Sequence, residues 1–199
     1  MGVPAPQIPP MLARLAERLA SRSPRVVEDP SLTPAAVSVT ITAEAPSILL
    51  IRRAEREDDR WSGHMAFPGG RKSAEDADLL ATARRETLEE AGVDLAGALL
   101  LGTLDDVATQ NPALPPLVVR PFVLAIPRPV PLRPNYEVAG AVWVLLQEFR
   151  SPGVFRPLEF SARGTRQLLP GYHLEAGLVW AMTEQILTPL LTLIAEDDR

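Results

Sequence analysis

The segment Arg-Arg-Glu-Thr-Leu-Glu-Glu-Ala-Gly, residues 84–92, sets the tightest limit on how this chain can fold. Glu86, Glu89 and Glu90 stand at i, i+3 and i+4, so a helix carries all three on one face. On an open surface such like-charge pairs cost only about 0.2–0.5 kcal/mol each. Turned inward, two carboxylates roughly 4 Å apart repel by about 4 kcal/mol at an effective dielectric of about 20. That face therefore needs water, an arginine or a cation beside it. Gly92 fits the left-handed position that stops a helix, and the helix is predicted from near Asp76 or Asp78 to Ala91.

Around that helix the pattern changes period. Residues Met11–Arg22 put Leu12, Leu15, Ala16 and Leu19 on one stripe, an amphipathic helix after a proline-broken lead. Ala36–Thr42 alternates and is β-branched, which predicts a strand. Ser47–Arg53 is a continuous apolar run of strand length, expected to be buried on both faces. The charged run to His64 reads as a loop turning at Gly63, and Met65–Asp78 as a short strand ending in a proline-glycine turn. Segments 98–109, 116–127 and 137–146 are further strands, the last preceded by a proline-rich connector ending at Tyr136. The tail, 177–196, is expected to be helical and kinked or divided by Pro189. Strands around one central helix, closed by a terminal helix, give an α/β fold with a mixed central sheet flanked by helices.

Composition narrows the function. A chain of 199 residues with 46% hydrophobic content is long enough for one domain with a real core. The absence of cysteine excludes disulfides and thiolate metal sites, and it fits a reducing, cytoplasmic setting. A net charge of −5 disfavours nucleic acid as the main partner. No apolar run approaches the roughly 20 residues of a membrane span, and the first residues lack the pattern of a secretory signal. A small phosphate-bearing ligand stays open, provided arginines or a divalent cation supply positive charge.

Phe67–Val93 resembles the Nudix box, in which a glycine and a glutamate precede R-E-U-x-E-E-x-G-U, U being apolar. Arg85, Glu86, Glu89, Glu90, Gly92 and Val93 match its second half. The first half has one extra residue after Gly70, its acid is Asp76 or Glu75, and Thr87 stands where an apolar residue is usual. Upstream, Leu49, Leu50, Arg53, Ala54, Gly63, Phe67, Pro68, Gly69 and Gly70 resemble the pattern of the coenzyme A diphosphatase branch. Its middle arginine is displaced to Arg56 or Arg60, and Ile51 replaces a threonine. The closing segment, where Trp180 is followed by Thr183, is similar to that branch as well.

The resemblance implies a Nudix-type α/β/α sandwich over residues 35–199, with residues 1–34 as a lead, and a hydrolase of nucleoside diphosphates linked to another group. Glutamates on one helix face suit Mg²⁺ or Mn²⁺, both of which prefer hard oxygen ligands. By resemblance Glu86, Glu90 and the Gly69 carbonyl are metal ligands, and Glu89 is a third ligand or the base. Arg53, Gly70, Arg71, Trp61 and Glu137 are candidates for substrate contact. Each has a plainer reading: surface balance for the arginines, core or rim for Trp61, Trp143 and Trp180, and a strand-edge charge for Glu137. Asp76 and Glu75 serve either as helix caps or near the metal, Arg85 as a structural pair for Asp76 or for the neighbours of Glu86, and His64 and His173 as surface or core packing residues. Coenzyme A is the expected substrate. ADP-ribose, dinucleotides and nucleoside triphosphates are alternatives, as is a module that senses a nucleotide without cleaving it. The N-terminal helix offers a possible homodimer face.

Overall fold

The computed structural model describes residues 8–54, 63–109, 115–162 and 165–195. Helix α1 (Pro10–Ser21) is followed by strands β1 (Thr33–Thr42), β2 (Ser47–Arg53), β3 (Met65–Ala66) and β4 (Gly69–Arg71). Helix α2 (Leu79–Ala91) comes next. Strands β5 (Leu99–Thr103), β6 (Val107–Ala108), β7 (Leu117–Ile126) and β8 (Val138–Leu145) then complete a mixed sheet. A separate antiparallel sheet holds β9 (Phe155–Ala162), β10 (Thr165–Leu174) and β11 (Gly177–Trp180), and helix α3 (Ala181–Ala195) ends the described chain. No helix among the described residues is long and apolar enough to cross a membrane.

Strand β1 is the spine. It runs parallel to β7 through ten residue pairs, from Thr33↔Leu117 to Thr42↔Ile126, and antiparallel to β4 at Val37↔Gly69. Apolar side chains leave the sheet on both faces. One face packs Val39, Ile41, Ile48, Leu50 and Val123 with Leu12, Leu15 and Leu19 of α1 and Ile186, Leu187 and Leu190 of α3. The other packs Leu49, Ile51, Phe122 and Leu124 against Ala83 and Ala91 of α2. The result is helices on either side of a mixed sheet.

Strand β1 holds as expected, and four other sequence expectations change. The polar members of β1, Ser38, Thr40 and Thr42, are fully buried, because the second face of the strand carries α2 and not water. Gly69 and Gly70 lie in a strand, not a turn, held by pairing to β1 that no local pattern reveals. Residues 177–180 are the strand β11. The chain turns into α3 at Ala181, whose φ of 52° is rarely adopted outside glycine. Pro189 leaves α3 undivided: an interior proline costs about 3 kcal/mol, and burial of Leu187, Leu190 and Leu191 around it offsets that. The apolar stripe of α1 is not an exposed face, since its leucines are 1–4% exposed within the core.

Candidate active site

Helix α2 is anchored before its acids come into play. Asp78 is the N-cap, its carboxylate accepting from the Ala81 N–H at 2.7 Å, and Gly92 closes the other end with φ 71°. Asp76 is not a cap. It is buried and accepts from the Ser73 N–H and the Thr82 hydroxyl, both at 2.9 Å. Arg85 grips it with a two-pronged fork, Nε to Oδ1 at 2.9 Å and Nη2 to Oδ2 at 3.0 Å. The guanidinium holds the Asp76 carboxyl well below the usual carboxylate range, and Asp76 raises Arg85 in return. Exposed Glu75 takes only the Ser73 hydroxyl, at 2.8 Å. The loop before α2 is thus stapled to the middle of that helix.

Arg85 gathers more acid than it can neutralise. Its Nη1 lies 2.8 Å from Glu86 Oε1 and 3.3 Å from Glu89 Oε2. Glu89 is half exposed, whereas Glu86 is largely covered. Glu90 turns the other way and accepts the Gly69 N–H at 2.9 Å. Burial pushes the Glu90 carboxyl up to about 7. The Gly69 N–H and Arg53 oppose the shift, and Glu86 and Glu137 add to it. Burial also raises Glu86, with Arg85 pulling the other way.

The two glycines are demanded by close approach. A Cβ on Gly69 would sit 2.3 Å from the Ala36 carbonyl oxygen, and one on Gly70 would sit 2.4 Å from Glu86 Oε1. The end of α2 is clasped as well: the Arg133 N–H donates to the Ala91 carbonyl at 2.8 Å, and a Cβ on Gly92 would lie 2.7 Å from that of Arg133. Four residues later the same proline-rich connector delivers Glu137.

Arg53, Gly70, Arg71, Glu90 and Glu137 therefore line one cavity of about 520 Å³. A second cavity, of about 590 Å³, shares Arg53, Gly70 and Arg71 and continues along Val37, Met65, Phe67, Leu117, Trp180 and Ile186. No carboxylate is among its described lining residues. Sequence reasoning named the first cavity's residues and missed most of the second's, because β6, β7 and α3 reach it only through tertiary packing. His64 stacks edge-on against Trp180, at 5.2 Å between ring centres. Trp61, Arg56 and Arg60 lie outside the described residues.

The glutamates are divided between Arg85 and Gly69. Among the described residues no three acidic or histidine side chains stand together as a ready ligand set. The donors nonetheless suit a hard divalent cation. All are oxygens, and a cation beside half-buried Glu90, with Glu86 and Glu137 near it, would favour the charged carboxylate that burial alone disfavours.

Comparison with known proteins identifies the family. The NUDIX domain family model matches residues 32–164. An uncharacterized Nudix hydrolase, NudL, of Photorhabdus laumondii is 30% identical over 168 residues, covering 84% of this chain and 87% of the relative. An uncharacterized protein of Schizosaccharomyces pombe is 36% identical over 173 residues; the match takes in 84% of this chain but only 51% of that relative. A MutT/nudix family protein from Enterococcus faecalis superposes with a TM-score of 0.56 at 16% identity, over 93% of this chain and 70% of that one. The chain belongs to the Nudix family, and its named relatives place it among the hydrolases of that family.

Proposed function

We propose that this protein is a divalent-cation-dependent hydrolase that splits the diphosphate of a nucleoside diphosphate joined to a second group. We further propose that this second group is a long, weakly charged arm of the kind found in coenzyme A. The observation that carries the proposal is the junction of the acid-lined cavity with the apolar one at Arg53, Gly70 and Arg71. A diphosphate at that junction has two arginines for its charge and, beyond them, a mostly apolar chamber without carboxylates for the arm.

Glu86, Glu90 and the Gly69 carbonyl would hold Mg²⁺ or Mn²⁺, with Glu89 as a third ligand or the base. The bound cation supplies charge screening at the phosphates and acidifies a water. Arg53 and Arg71 orient the diphosphate. The Gly69 N–H keeps the Glu90 carboxylate in place, and Arg85 keeps Glu86 from turning away. A cytoplasmic location is the matching expectation, supported by the lack of cysteine. A homodimer stays an expectation too, without the α1 stripe to carry it.

The test is mass analysis of the products formed from coenzyme A, ADP-ribose, a dinucleotide and a nucleoside triphosphate with Mg²⁺ or Mn²⁺. Coenzyme A is expected to give phosphopantetheine and adenosine 3′,5′-bisphosphate fastest. Glu90→Gln should lower turnover about 1,000-fold while retaining substrate affinity. Faster cleavage of ADP-ribose or a dinucleotide removes the coenzyme A assignment. Undetectable cleavage of all four, with binding intact, makes this a nucleotide-sensing module.

A further inference from the structure

Thr87 occupies the box position where an apolar residue is usual, and it is fully buried between α2 and β1. Its hydroxyl donates to the Ala83 carbonyl at 2.6 Å. A hydroxyl has one proton, so the 2.6 Å contact between Thr87 Oγ1 and Ser38 Oγ must be donated by Ser38. Ser38 in turn receives the Thr40 hydroxyl at 3.3 Å. The direction of the whole relay is settled by this count: Thr40 to Ser38 to Thr87 to Ala83.

Ser38 does a second thing with its backbone. Its N–H donates to the Pro68 carbonyl at 2.9 Å, and Pro68 immediately precedes the glycine whose N–H holds Glu90. A closed circuit results, running from Glu90 to Gly69, through Pro68 to Ser38, across to Thr87, and along one turn of α2 back to Glu90. A side chain without a hydroxyl at residue 87 leaves that circuit open.

We infer that the Ser38–Thr87 hydrogen bond is a positioning contact that sets the distance between the Glu90 carboxylate and the Gly69 peptide. Neither residue touches substrate. Both act through the alignment of α2 against the glycine strand. The inference rests on the hydrolase reading for its consequence in turnover, but not for its structural content.

The test uses Thr87→Val, which keeps the shape and deletes the hydroxyl, with Thr87→Ser as the conservative rescue. Amide exchange at Gly69 is followed by NMR in the metal-free protein, alongside kcat and KM. Thr87→Val should speed Gly69 exchange at least tenfold and lower kcat about 10- to 100-fold with KM unchanged, as misplacement by an ångström does. Thr87→Ser should restore both. Ser38→Ala should reproduce the effect from the other side, and adding it to Thr87→Val should cost little more, since both partners are then gone. Wild-type Gly69 exchange in Thr87→Val, or failure of Thr87→Ser to restore it, overturns the inference. If the wild type cleaves no diphosphate the hydrolase reading falls, and Gly69 exchange still decides this one.

Discussion

Among the described residues the same ion pair occurs twice, in two different electrical settings. Arg85 forks onto Asp76 beside the site, and Arg120 forks onto Asp106 away from it, with Nε to Oδ1 at 2.9 Å and Nη2 to Oδ2 at 2.8 Å. Both aspartates are buried and each takes one backbone N–H, from Ser73 and from Val27. The Asp106 pair closes on itself. With Asp105 holding Arg22 at 2.8 Å and the Asp106 N–H on the Arg25 carbonyl, it ties the strand-free segment after α1 to the sheet. The Arg85 pair is left open, because Glu86 and Glu89 press on the same guanidinium. One arginine–aspartate fork is a staple. The other is a staple loaded with surplus negative charge, which is what a cation site needs.

The largest expected effect separates stability from turnover. Asp106→Asn should cost about 3–5 kcal/mol of folding stability by leaving Arg120 without its buried partner, while the folded fraction keeps its turnover. Asp76→Asn should cost less stability, because Arg85 keeps Glu86 and Glu89 as partners, but should lower turnover, since Arg85 is then free to draw Glu86 away. Urea melts and rates normalised to folded protein check both. Equal losses of turnover in the two variants would erase the distinction.

A smaller effect concerns pH. Asp76 is held below its usual value near 3.8, so its contribution is full above that pH and is lost as pH falls further. Glu90 is raised from 4.5 to about 7, so its contribution is full below about pH 4.5 and lost as pH rises through 7. At about 1.4 kcal/mol per pH unit the metal-free protein should lose about 3 kcal/mol across that upper window. Glu90→Gln should remove most of the slope, leaving the part due to Glu86, and Mn²⁺ should flatten it. A slope unchanged in Glu90→Gln would remove Glu90 as its source.

The smallest effect belongs to the helix cap. Asp78→Ala should cost about 1 kcal/mol by thermal melting and leave the pH slope intact, because Asp78 caps α2 without touching either fork.

How much of this was legible beforehand depends on how local the cause is. Helix α2 could be read because Asp78 and Gly92 mark its ends within the segment itself. Glu90, Arg53, Gly70, Arg71 and Glu137 were named from their pattern and meet at one cavity. The division of the glutamates between Arg85 and Gly69 could not be read, since it depends on rotamers and on β4 pairing with β1. Strands β9 and β10 escaped notice: they form a small separate sheet, and no turn or period in 155–174 marks them clearly. The boundary at Ala181 has no marker because an alanine occupies a position where glycine would have signalled the turn. The burial of the serine and threonines of β1 could not be read either, since it depends on α2 packing over that face.

The clasp between Arg133 and the end of α2 has a mechanical corollary. The carboxylates of Glu90 and Glu137 hang from opposite ends of one short tether, so a residue inserted into or removed from it changes the separation of the pair. Attempts to retune ligand choice by loop grafting should leave residues 127–137 at their native length and vary the walls of the apolar chamber instead.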